Sequence, residues 1–216
     1  MASYYILMGD IVGSSRYASP KKLRKEFMEV IAGCNKKLKH EILSPYTVTL
    51  GDEFQGIAAS FQAMLEAIFY MEEKILYEGL TFKIRYVSVY GEIESPINRV
   101  RAHTMLGPGL TRAREILTDK GRGTPRFRFE FPDTSLTKQL NRLFLVYDGV
   151  TRRWSPEDGR LILDMLANPH NEEVGKLHDK NRTQIWKRRR NLLIEEVRAL
   201  KESIRELSRQ PPHNDM

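Results

Sequence analysis

The chain has 216 residues, 41% of them apolar and 29% charged, with a formal net charge of +7. That length admits one domain or two and a proper core. No window of about 18 apolar residues is present to span a membrane, and the N-terminus lacks the basic-then-apolar signature of a signal peptide, so a cytoplasmic protein with no membrane partner is expected.

The first element is a strand, the apolar run Tyr4-Tyr5-Ile6-Leu7, with Asp10 expected just past its end and a small-residue loop after it. Ser19-Pro20 reads as a helix start, and Leu23, Phe27, Val30, Ile31, Cys34 and Leu38 recur on one face. Cys34 is the only cysteine, which excludes an internal disulfide and predicts a core role. Pro45 is expected to end that region. Tyr46 to Leu50 and Phe54 to Ala58 then form a hairpin with Asp52 and Glu53 at its tip. Ser60 caps a second helix that Glu78-Gly79 closes. Phe82 to Ile93 is the longest strand, and Gly91 and Glu92 near its end suggest a bulge or a close backbone approach. A loop from Ser95 to Leu106 leads to a helix opened by Pro108-Gly109. Phe127, Phe129 and Phe131 alternate as in a half-exposed strand, and Asp133 caps the helix that follows. The order β-α-β-β-α-β-α-β-α predicts an α+β, ferredoxin-like domain over residues 1–150 with one added strand and helix.

From Ser155 onward the pattern is helical, predicting a small all-α helix-turn-helix domain over residues 151–209. Asn168-Pro169 breaks the first helix, and a turn at His178 to Asn181 precedes one long basic helix. Between Lys180 and Ile194 stand six basic residues and no acidic one, a bias that a solvated face seldom carries. Leu193, Val197, Leu200, Ile204 and Leu207 trace a heptad seam reaching back to Trp186, which serves equally as packing on the chain itself or as a homodimer contact. The polar tail, residues 210–216, is expected to be disordered.

Two acidic turns beside a glycine-containing loop suit a divalent metal and a phosphate chain. Asp10 and Asp52 are expected to converge on one Mg²⁺ or Mn²⁺. The N–H groups from Ile11 through Val12, Gly13, Ser14 and Ser15 are expected to cradle phosphates, with a nucleotide or related phosphorylated compound as the ligand. Each acidic turn taken singly reads as well as an ordinary Gly-Asp turn. In the basic helix, Arg182, Thr183, Gln184 and Lys187 stand where side chains reach base edges of duplex DNA. Arg188, Arg189 and Arg190 are expected to contact phosphates.

Gly9-Asp10-Ile11-Val12-Gly13-Ser14 resembles the first metal segment of class III nucleotidyl cyclases. Leu50-Gly51-Asp52-Glu53-Phe54 resembles their second, and also the GGDEF signature of diguanylate cyclases. With Val87 to Ile93, Gly107-Pro108-Gly109 and Ala113-Arg114-Glu115, the arrangement is closer still to the SatD family, bacterial proteins with a cyclase-like N-terminal part and a helix-turn-helix end. The resemblance implies Asp10 and Asp52 as metal ligands, the Ile11 carbonyl as a third, and Arg114 as the arginine that stabilises charge on a transferring phosphate. Glu53 is read either as a ligand or as a turn residue. The chain departs from the cyclase pattern at Leu110, where those enzymes carry asparagine four residues before the arginine. The sequence therefore points to a ligand-responsive, dimeric DNA-binding regulator, with an active Mg²⁺- or Mn²⁺-dependent nucleotidyl cyclase as the alternative.

Overall fold

Residues 2–49, 51–121 and 123–209 are described by a computed structural model. Leu50, the first residue of the second acidic motif, and the tail from Gln210 lie outside them. The chain is α+β. Five strands form one mixed sheet in the order β2-β3-β1-β4-β5, from β1 (Ala2–Ile11), β2 (Ile42–Val48), β3 (Glu53–Ala58), β4 (Ile84–Ile93) and β5 (Phe127–Glu130). β1 pairs antiparallel with β3 and β4, β2 antiparallel with β3, and only β4 and β5 run parallel.

β1 is central, and its last six residues, Ile6 to Ile11, are all buried. Side chains alternate across a strand. Leu7 and Ile11 therefore enter the core under α1 (Pro20–Lys37) and α2 (Phe61–Tyr77), whereas Ile6 and Met8 face α3 (Pro108–Thr118) on the other side. α3 lies almost on the backbone of β4: a Cβ added to Gly91 would come within 2.7 Å of the Gly109 Cα. The α2 side is the aromatic side. Tyr86 stacks on Phe127 at 5.2 Å between centroids, and Phe144 and Tyr147 of α4 (Thr134–Thr151) close over them.

Three elements differ from the sequence expectation. β2 begins at Ile42 and contains Pro45. The strand tolerates it because β2 is an edge with register shifts around Ser44 to Thr47, so the missing N–H breaks no regular ladder. Ser155-Pro156 opens a short 3-10 turn before α5 (Gly159–Ala167) rather than the helix itself. The long C-terminal helix is two helices, α7 (Arg182–Leu192) and α8 (Ile194–Arg209), separated by Leu193 in the left-handed region at φ 54°. Basic Arg189 and Arg190 end α7 and acidic Glu195 and Glu196 begin α8, which is how two helix dipoles would be placed and not one.

That break removes the heptad seam. Val197 and Ile204 are buried in the main core with Leu200 and Leu207 packed alongside, while Trp186 is 53% exposed on α7. The seam is thus occupied by the chain's own α2 and α4, against which α8 also sets the Arg205–Glu66 ion pair at 2.6 Å. α6 (Asn171–Leu177) packs on α7, and Leu161, Ile162, Met165, Val174, Ile185 and Ile194 form a separate small core. Among the described residues no helix is long and apolar enough to cross a membrane.

Candidate functional site

The C-terminal end of β1 gathers the acidic residues that the sequence marked. Asp10 lies inside the strand, one residue before its end, and is 2% exposed. Its Oδ2 meets the Lys120 ammonium at 2.6 Å and Arg85 Nη1 at 3.4 Å, while Oδ1 is buried without a hydrogen-bond partner among the described residues. An orphaned carboxylate oxygen this deep leaves a strong acceptor unsatisfied.

Asp52 does not join it. The Asp52 side chain accepts a 2.6 Å hydrogen bond from Ser14 Oγ, on the α1 side of the sheet. The register explains the separation. Asp10 stands opposite Glu53, and the Ile11 N–H donates to the Asp52 carbonyl at 2.9 Å. Asp10 and Glu53 are thereby a non-hydrogen-bonded antiparallel pair, the kind whose Cα atoms stand about 4.5 Å apart with side chains on one face. Asp52, one residue earlier, points to the other face. The carboxylate that shares a face with Asp10 is therefore Glu53, while Asp52, expected beside Asp10, is bonded to Ser14. Alternation along β3 carried that signal in the sequence; the approach of Lys120 and Arg85 had none.

The phosphate cradle also narrows. The Ile11 and Val12 N–H groups are spent on the Asp52 and Lys83 carbonyls, which leaves Gly13, Ser14 and Ser15. Gly13 is left-handed at φ 67°, and Ser14 begins a single 3-10 turn. Ser14, Ser15, Arg24, Gly51 and Asp52 line one open cleft of about 400 Å³. Arg24, from α1, was not foreseen. Its guanidinium, the loop N–H groups and the Ser15 hydroxyl are the donors this cleft offers an anionic group, beside the Asp52 carboxylate that takes the Ser14 hydroxyl.

A divalent ion tests differently on the two faces. No group of three or more His, Cys, Asp and Glu side chains is gathered among the described residues. Mg²⁺ takes only one or two carboxylates, completing its shell with water and phosphate. Asp10, with its free Oδ1, and the adjacent Glu53 match that supply, whereas Asp52 is held apart by Ser14.

Arg114, exposed on α3, donates to Gln55 Oε1 at 3.0 Å. Gln55 in turn donates to the Ala102 carbonyl at 2.6 Å, so Arg114 is anchored on the Asp10 face of β3. Leu110 is 6% exposed and packs with Ile6, Met8 and Val87. The position where cyclases carry asparagine is here part of the core.

α7 divides into two faces. Asn181 and Gln184 form a reciprocal capping box, and Asn181 is followed by exposed Arg182 and Thr183. The turn before it is tight: a Cβ on Gly175 would strike the Lys180 carbonyl at 2.3 Å, and the Lys180 N–H donates to the Gly175 carbonyl at 3.0 Å. Arg182, Thr183, Gln184, Trp186, Lys187 and Arg190 are exposed, with Arg188 partly tied to Asp158 at 3.2 Å. Arg189 turns inward instead and is 5% exposed. It donates to the Met165 carbonyl at 2.6 Å, to Asn171 Oδ1 at 2.6 Å, to Glu195 at 3.1 Å and to the Asn168 carbonyl. Burial, with Arg198 nearby, lowers its pKa against the pull of Glu195. Arg189 is a strut that fastens α7 to the end of α5 and is withdrawn from the set of phosphate contacts. Trp186, which the sequence pattern had assigned to packing, stands on the open face, 53% exposed.

The model of the SatD family matches residues 4–189, most of the chain. No curated protein matches it.

Proposed function

We propose that this chain, which belongs to the SatD family, is a DNA-binding regulator whose sheet domain binds a nucleotide or similar phosphorylated ligand. The observation that carries the reading is the division of α7. One face is fixed by Ile185 and Arg189, and the opposite face offers Arg182, Thr183, Gln184, Lys187 and Arg190 to solvent. Helix, tight turn and capped basic helix are the parts of a helix-turn-helix, whose second helix enters the major groove. Thr183 and Gln184 stand near its N-terminus, where base edges are read. Lys187, Arg188 and Arg190 would neutralise phosphates.

The sheet domain supports the ligand half of the proposal. The order β2-β3-β1-β4, with antiparallel neighbours, is that of a ferredoxin-like palm. The phosphate group would sit on the Gly13 to Ser15 loop beside Arg24. Mg²⁺ or Mn²⁺, when bound, would be held by Asp10 and Glu53 with the Ile11 carbonyl. Lys120 would yield its place on Asp10 to that ion. Arg114 and Arg85 lie on the same face and add positive charge. Leu110, packed into the core, weighs against cyclase chemistry, so the palm acts in this reading as a sensor. A second copy of the chain would supply the dimer usual for reading two half-sites, through a surface other than the occupied α8 seam.

The test is a crystal soaked with a nucleoside triphosphate and Mn²⁺. An anomalous peak between Asp10 and Glu53, with phosphate density over Gly13 to Ser15, is expected. Phosphate density elsewhere, or none, removes the ligand half of the proposal.

A further inference from the structure

A second cleft, of about 250 Å³, lies where the sheet domain meets the C-terminal helices. Its walls come from α2, the loop between α2 and β4, the end of α4, α5 and α8. Leu76, Leu80, Phe82, Trp154, Leu163 and Leu166 give it an apolar lining. The acids beside it are already matched. Glu72 receives two hydrogen bonds from Arg126, at 2.7 and 2.8 Å, and one from the Tyr86 hydroxyl at 2.9 Å. Asp148 takes Arg126 Nε at 2.9 Å, and Glu73 is bonded to Lys201. Two cations of the lining are left over. Among the described residues neither Lys83 nor Arg152 has an ion-pair partner, and the Lys83 ammonium reaches only the Arg152 carbonyl, at a long 3.4 Å.

We propose that this cleft binds a small organic acid, with one carboxylate or sulfonate between Lys83 and Arg152 and a flat apolar body against Trp154 and Phe82. The volume limits that body to about two rings. Partial desolvation, then the nearby Arg126 charge, lowers the Lys83 pKa; an anion at the mouth would relieve that loss. A molecule seated there touches α2 and α4 of the sheet domain and α5 and α8 of the helical end at once. Its site is separate from the Gly13 loop, and the inference does not depend on what that loop binds.

The probe is 5-(dimethylamino)naphthalene-1-sulfonate, a flat two-ring sulfonate, titrated into the full chain carrying Trp186→Phe, so that Trp154 is the only tryptophan. Saturable one-to-one binding with quenching of Trp154 is expected. Affinity should fall about tenfold, equivalent to one lost charged contact, in Lys83→Gln with Arg152→Gln. Both side chains are exposed, and an unchanged Tm will show that the double variant is folded. The uncharged analogue N,N-dimethyl-1-naphthylamine should bind about tenfold more weakly than the sulfonate. Absence of saturation, equal affinity in the double variant, or equal affinity of the uncharged analogue would each overturn the proposal.

Discussion

Replacing Arg189 by alanine separates the structural from the DNA-contacting arginines of α7. The side chain is buried and serves Asn171, Met165, Asn168 and Glu195 together. Removing it strips the capping donors from the end of α5. Breaking such a buried, charged network costs about 3–5 kcal/mol. In a chain of 216 residues, where each kcal/mol moves Tm by roughly 2–4 °C, Arg189→Ala should lower Tm by roughly 6–20 °C. Arg190, on the exposed side of the same helix, should behave oppositely. Its alanine variant should stay within about 0.5 kcal/mol of the parent. The slope of log affinity for duplex DNA against log salt should become shallower by about 0.9 for the lost phosphate contact. Calorimetry and a salt series of anisotropy titrations read both. An Arg189→Ala protein with unchanged Tm but a reduced salt slope would refute the assignment.

Other outcomes follow from single contacts. Gly109→Ala places a methyl against the Gly91 backbone, 2.7 Å from its carbonyl carbon, and should destabilise by about 1–3 kcal/mol in urea unfolding. Asp179 is non-glycine at φ 50°, so Asp179→Gly should stabilise by roughly 0.5–1 kcal/mol in the same assay; a loss would show that its side chain has a role in the α6–α7 turn. Glu72→Gln leaves the buried Arg126 with Asp148 as its remaining carboxylate partner. Burial opposes the Arg126 charge, and Glu72 and Asp148 together outweigh it and keep its pKa above the ordinary arginine value. The substitution should therefore lower stability by about 3 kcal/mol or more, visible as a fall in Tm.

The order of elements was legible in the sequence because its signals are local. Ser60 accepts from the Ala63 N–H and Asp133 from the N–H groups of Ser135 and Leu136, as caps read from residue type should. Gly91 meets Gly109 as a glycine near a strand end suggests. What was not legible depended on register or on distant partners. Asp52 and Glu53 are adjacent letters, and one position of strand register decides which of them shares a face with Asp10. The continuous apolar spacing from Trp186 to Leu207 conceals the break at Leu193, since both a heptad seam and two consecutive helices place apolar residues three and four apart. Arg189 looks like its neighbours until the carbonyls at the end of α5 are brought to it. Lys120, from the loop after α3, and Arg24, from α1, reach the acidic end of β1 and carry no mark in sequence that ties them to it.

The central claim is that α7 presents a DNA-reading face, and a duplex titration tests it most directly. Fluorescence anisotropy of a labelled mixed-sequence duplex, measured with the full chain at low and then rising salt, should show binding that weakens with salt. The Lys187→Glu, Arg190→Glu double variant should lose it while keeping the parent Tm, because both side chains are exposed. No binding by the parent at low salt, or equal binding by the variant, would contradict the account.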